Sequence, residues 1–220
     1  MRWRCSGLLV ASMLAVAACG GDDGEPIDPE ADEEIVNAAV LTIDDLPEGF
    51  VEEPPDDDDD DESADRCLED ILGMTRDEFE DSRTARSEAV QFEGDTSSIR
   101  VRVSAFADAD VPGDVMDAFD GDDFIDCLRE AFEDDPETAE FELTTLEARD
   151  PLAGDEATAY HLAVGLNVVE QDIEVESRLA ALLVDRFVVS IESTSFEGGT
   201  DEAFLADALE TMAERVESER

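Results

Sequence analysis

Three sets of residues in this sequence could hold a ligand or do chemistry. Arg100 and Arg102 alternate with Ile99, Val101, Val103 and Ala105 in the run Ser98 to Ala107. Strict alternation puts both guanidinium groups on one face of a strand, together with Phe106. Two same-face arginines in so acidic a chain either pair with carboxylates of another strand or form a local anion-binding patch. Glu174 and Glu176, alternating on a later strand, are the expected partners, and Phe106 beside the arginines marks a partly covered groove and a possible binding surface. His161 is the only histidine. It sits within a strand pattern, and the sequence has no G-x-S-x-G, no P-loop and no H-E-x-x-H motif, so it is read as a strand residue facing solvent or a wall. The 63 acidic residues form the third set. They yield a pair at any spacing, so a hydrolytic carboxylate pair carries no signal of its own. Asp108-Ala109-Asp110 opens like a calcium loop, but Pro112 at position five and Phe119 at position twelve break it. No metal and no cofactor is implied.

The N-terminus says where these residues would work. Arg2 and Arg4 precede an apolar run from Gly7 to Ala18, closed by Val16-Ala17-Ala18-Cys19. A basic start, a short apolar stretch and small residues before a cut describe a secretory signal. The run is too short to cross about 30 Å of hydrocarbon at about 1.5 Å per residue, and Gly20, Gly21, Asp22 and Asp23 follow it. The small residues before Cys19 resemble the lipobox of bacterial lipoproteins, which are processed by adding diacylglycerol to the cysteine sulfur and cutting just before it. That resemblance implies that residues 1–18 are removed, that Cys19 carries the lipid, and that the rest is held at the outside of the cell membrane.

Cysteine use follows from this. Cys5 leaves with the signal and Cys19 takes lipid, so Cys67 and Cys127 remain. A pair in an oxidising compartment is most simply a disulfide; the alternative is two buried free thiols. A bridge closing so long a loop would stabilise the fold by about 4 kcal/mol. Two distant cysteines and one histidine do not have zinc-site spacing.

The formal charge is −49, and all 14 basic residues are arginine. Such a field repels nucleic acid, which is not an expected partner, and favours a saline exterior where self-repulsion is screened. With 42% hydrophobic residues the chain still has enough apolar content for a core.

These residues must be positioned by one domain over 39–218. Residues 19–38 read as an acidic tether, and residues 52–62, with six consecutive aspartates, as an acidic disordered loop. Val40 to Phe50 reads as an extended first element turning at Pro47 and Gly49. Spacing then predicts a helix over 65–72 and strands over 85–93 and 98–107. Helix over 112–134, broken at Gly121, follows, with strands over 138–148, 157–169, 173–184 and 187–196 and a helix over 201–217. The expected fold is α+β, a curved antiparallel sheet of about six strands with helices packed on one face.

This order behind a lipobox resembles a class of actinobacterial secreted sensor-like domains, the PknH-type extracellular domain and related small lipoproteins. The residues carrying the resemblance are Asp45-Leu46-Pro47-Glu48-Gly49-Phe50, Phe124-Ile125-Asp126-Cys127-Leu128 and Pro151-Leu152-Ala153-Gly154-Asp155-Glu156. It implies a fold, an extracytoplasmic compartment, and a non-catalytic role in binding a small ligand or an envelope partner. The competing expectations are a carboxylate-based envelope hydrolase and a structural envelope component.

Overall fold

In a computed structural model of the chain, residues 27–54, 62–119, 121–134, 141–154, 159–168, 173–196 and 201–220 are described. The signal, Cys19, the first part of the expected tether and residues 55–61 of the aspartate run lie outside them.

The strand with the strictest alternation is central. In β4 (Ser97–Phe106) the residues Ile99, Val101, Val103 and Ala105 are at most 1% exposed. β4 pairs antiparallel with β8 (Phe187–Phe196), from Ser97 opposite Ser195 to Ala105 opposite Phe187. β8 continues to β7 (Ile173–Val184), β6 (Ala159–Val168) and β5 (Phe141–Arg149), a meander whose short links leave room only for antiparallel neighbours. The β7–β8 turn places Asp185 at φ 58°, a left-handed position that aspartate tolerates better than most residues.

The other edge of β4 takes two short strands, β2 (Arg83–Arg86) and β3 (Val90–Glu93), and β1 (Val51–Glu53) pairs with β3. The open sheet therefore has eight strands rather than about six. One expected strand, 85–93, is divided at Ser87, whose backbone N–H donates to Val103 O at 2.9 Å while its hydroxyl accepts from Val103 N at 3.0 Å. β1 escapes a pattern search because all three of its residues are exposed.

Helices cover both faces, not one. α1 (Pro29–Ala39) and α6 (Glu202–Glu219) close the first face over a core that includes Val36, Leu41, Val101, Val189, Leu209 and Met212. The second face carries α2 (Glu62–Leu72), α3 (Arg76–Asp81), α4 (Asp110–Phe119) and α5 (Asp122–Asp134). The physical reason lies in β6, β7 and β8. Tyr160, Leu179, Ala181, Leu183 and Val188 alternate with the first-face residues and are themselves apolar, so both sides of the sheet need cover.

Residues 29–38, expected within the tether, are helical. Asp28 caps the helix, Pro29 fits its first turn, and Asp32, Val36 and Ala39 form a buried stripe at i, i+4, i+7. The stripe is hidden in the sequence because its first member is an acid. Asp32 is 1% exposed and receives Arg186 through both terminal nitrogens, with Thr84 donating as well. Burial opposes the charged carboxylate, but the hydrogen bonds from Arg186 and Thr84 and the Arg186 charge outweigh it and hold its pKa below the ordinary range.

Candidate functional site

On the second face the alternation of β4 has its consequence. Arg100, Arg102, Ser104 and Phe106 point away from the core, and β2 adds Arg83, opposite Phe106, and Arg86, opposite Ser104. Arg102 stands across from Ser190 of β8. Helices α3 and α4 rise on either side and leave a groove of about 170 Å³ between them. Arg83, Arg86 and Arg102 line it with Ser104 and Ser190, and the apolar wall comes from Phe79, Phe106, Met116, Phe119 and Val188, with Tyr160 and Ala181 at the floor.

The wall is ordered by ring contacts. Phe119 stacks on Tyr160 with centroids 4.5 Å apart and meets Phe124 edge-on at 4.5 Å. Phe79 lies 5.4 Å from Phe106 and carries the Arg83 guanidinium over its ring at 4.9 Å. Tyr160 is buried, and desolvation together with the charge of Glu192 drives its hydroxyl far above its usual pKa, so it stays neutral.

The electrostatics of the groove differ from those of the rest of the chain. Among the described residues, no aspartate or glutamate lines it. Arg83 is held by Glu80 at 2.8 Å, outside the lining, and its Nε is buried with no hydrogen-bond partner among the described residues. Its pKa is lowered, first by burial and then by the charges of Arg102 and Arg76, against the pull of Glu80. Positive side chains are thus packed closely enough to repel one another.

Two other cavities carry acids in their linings. One of about 520 Å³ between α2 and α5 is lined by Asp70, Asp123, Asp126 and Glu130 beside Ile71 and Cys127. The other, about 800 Å³, lies on the first face where β5 and β6 meet the start of α6, with Glu147, Asp150 and Glu202 in its lining beside Arg149. His161 opens into it. The residue is only 2% exposed, so it does not face open solvent. Its Nδ1 lies 3.2 Å from Asp150 O; a carbonyl can only accept, so the proton is on Nδ1. Burial, above all, pushes its pKa down, with Arg178 and Arg149 adding to this and Asp150 and Glu202 opposing. No three His, Cys, Asp or Glu residues are grouped to hold a metal ion among the described residues.

The structure brings together Arg102 and Phe106, two of the three residues singled out by the sequence as a binding surface. Arg100 shares their face but lies outside the groove, one pair further along β4 and opposite Glu192. The partners expected for these arginines are wrong. β8 separates β4 from β7, Glu176 lies on the first face paired with Arg178, and Glu174 stands opposite Asn167. Arg83, Arg86 and Phe79 complete the groove without a sequence signal of their own; Arg83 and Arg86 fall in a strand too short to alternate visibly. Cys67 of α2 and Cys127 of α5 are joined by a disulfide, with Cα atoms 5.8 Å apart, which ties α2 to α5 on the second face. Asp45, from the motif Asp45 to Phe50, accepts from Thr42 N at 2.7 Å and from Arg215 at 2.6 Å. Phe50 packs over Gly94, where an added Cβ would stand 3.1 Å from its ring, so that motif docks the N-terminal segment and does not line the groove.

No protein-family model and no curated protein matches the sequence. Among solved structures the chain is similar to the extracellular domain of PknH from Mycobacterium tuberculosis, with a TM-score of 0.50 and 12% identity over 88% of this chain and 98% of that one. At that identity the likeness is one of fold: an α+β domain built on an open antiparallel sheet.

Proposed function

We propose that this chain is a non-catalytic binding domain, sensor-like or accessory, displayed outside the cell membrane on a lipid attached to Cys19. The observation that carries the binding role is the groove under α3 and α4, where three arginines converge with a set of apolar side chains and, among the described residues, no acid lines it, in an otherwise intensely acidic chain. Display outside the membrane rests on the signal and lipobox pattern at residues 1–19. It is supported by the Cys67–Cys127 disulfide, which persists in an oxidising compartment. No helix among the described residues is long and apolar enough to cross a membrane. The acidic surface, with arginine as the sole basic residue type, fits saline surroundings.

The roles separate experimentally. A tagged fatty acid fed to cells should label the wild-type chain and not Cys19→Ala; equal labelling of both would end the anchored reading. Native mass spectrometry of the purified chain after exposure to an extract of envelope small molecules should show a retained adduct that Arg102→Gln loses. Turnover of an ester or glycoside substrate with no adduct would favour the hydrolase instead.

A further inference from the structure

The groove has two ends of different chemistry, and their sizes restrict what can fill it. At the β2–β4 end are guanidinium groups, which present forked N–H donors suited to carboxylate and phosphate oxygens. At the β8–β6 end, Met116, Phe119, Ala181 and Val188 give an apolar slot, and the whole space is about 170 Å³. That volume holds about six water-sized groups, well below the usual range for drug-sized ligands, so a long lipid chain does not fit inside. Arg83 and Arg102 oppose each other's charge, and a bound oxyanion would remove that repulsion while supplying an acceptor for the buried Arg83 Nε. A fully hydrated inorganic anion would leave the apolar slot filled with water. An uncharged apolar molecule would leave the arginines as they are.

We infer that the groove binds a small anionic amphiphile: one carboxylate or phosphate group held by Arg83, Arg86 and Arg102, on an aryl or short acyl tail lying against Met116, Phe119 and Val188. This rests on the reading of the groove as the binding site and goes further by naming the ligand chemistry. Carboxylate and phosphate share the recognition, and matched probes tell them apart.

Isothermal titration of the purified chain with hexanoate, phenyl phosphate, inorganic phosphate and hexanol tests it. Hexanoate or phenyl phosphate, or both, should bind saturably at one site, at least about tenfold more tightly than inorganic phosphate or hexanol, since each of those lacks one half of the recognition. Arg102→Gln should weaken the amphiphile about tenfold. Arg86→Gln, at the exposed edge of the groove, gives a second anion-side variant should the first not fold, and Val188→Phe, which fills the slot and keeps every arginine, should abolish binding. Inorganic phosphate binding as tightly as phenyl phosphate, hexanol binding as tightly as hexanoate, no binding by either amphiphile, or folded variants that bind like wild type would each overturn the inference. Failure here with a retained envelope adduct leaves the broader binding role standing. Success here with an unlabelled Cys19 leaves the ligand chemistry standing and removes the anchor.

Discussion

On the face covered by α1 and α6, each arginine is committed to a carboxylate. Arg186 grips Asp32 and the Phe106 carbonyl, Arg178 joins Glu176 and Glu202, and Arg215 ties Asp45 to the carbonyl of Val40. These pairs fasten segments far apart in sequence: residue 32 to residue 186, and residue 45 to residue 215. On the face under α3 and α4 the same residue type is gathered, with Arg83, Arg86 and Arg102 converging on one groove and burial working against Arg83. Where arginine is the sole basic residue, its placement separates structure from binding. Dispersed and paired with carboxylates, it fastens distant segments of the fold; gathered in a groove whose lining holds no acid among the described residues, it presents donors to an anion.

Changes to the two faces should therefore differ in size. The largest expected effect is loss of the Cys67–Cys127 bridge. Cys127→Ser should lower unfolding free energy by about 4 kcal/mol in the chain-entropy model, read from denaturant midpoints of wild type and variant. Because the bridge joins α2 to α5, hydrogen exchange should rise first in those two helices, with β4 and β8 still protected. Next comes Asp32→Ala, which strands Arg186 and Thr84 beside a buried position and should cost about 3 kcal/mol. Arg102→Gln, by contrast, should leave stability within about 0.5 kcal/mol of wild type at low salt, since it also removes a like-charge contact. Equal losses from Asp32→Ala and Arg102→Gln would erase the distinction between the faces.

Acid provides a finer separation. The folded pKa values of Asp32 and Asp45 lie below those of the unfolded chain, so their stabilisation is complete above about pH 4 and is lost as pH falls through the depressed folded values. Urea midpoints of the wild type should fall across that acidic window, and Asp32→Ala should flatten part of the fall. An unchanged profile in the variant would mean that the Asp32 pair contributes nothing to it. The smallest expected effect is that of salt, which screens the exposed acids more than the buried pairs. Melting temperature should rise gently from low to molar salt in wild type and Asp32→Ala alike.

Much of the sheet was legible in the sequence. β7 and β8 have the expected bounds, and the break at Gly121 separates α4 from α5, because alternation and the i, i+3, i+4 stripe are local signals. Eight strands instead of six, helices on both faces, and a helix where a tether was expected come from facts a local pattern does not carry. Asp32 is buried only because Arg186 and Thr84 reach it from elsewhere in the chain. The second face is covered because Tyr160, Ala181 and Val188 are brought side by side by strand register. The same holds for the candidate site. Arg102 and Phe106 stand out in one alternating strand, whereas Arg83 joins them through the pairing of β2 with β4, and Phe79 through the packing of α3.

The side-chain Nε–Hε signals of arginine in a nitrogen-resolved NMR spectrum test the contrast between the two faces most directly, during titration with phenyl phosphate. Those of Arg83 and Arg102 should shift together and saturate at one equivalent, while those of Arg186 and Arg215, already held by Asp32 and Asp45, stay in place. A uniform, unsaturating drift of all four, or no movement at Arg83 and Arg102, would contradict the assignment of the groove as an anion site.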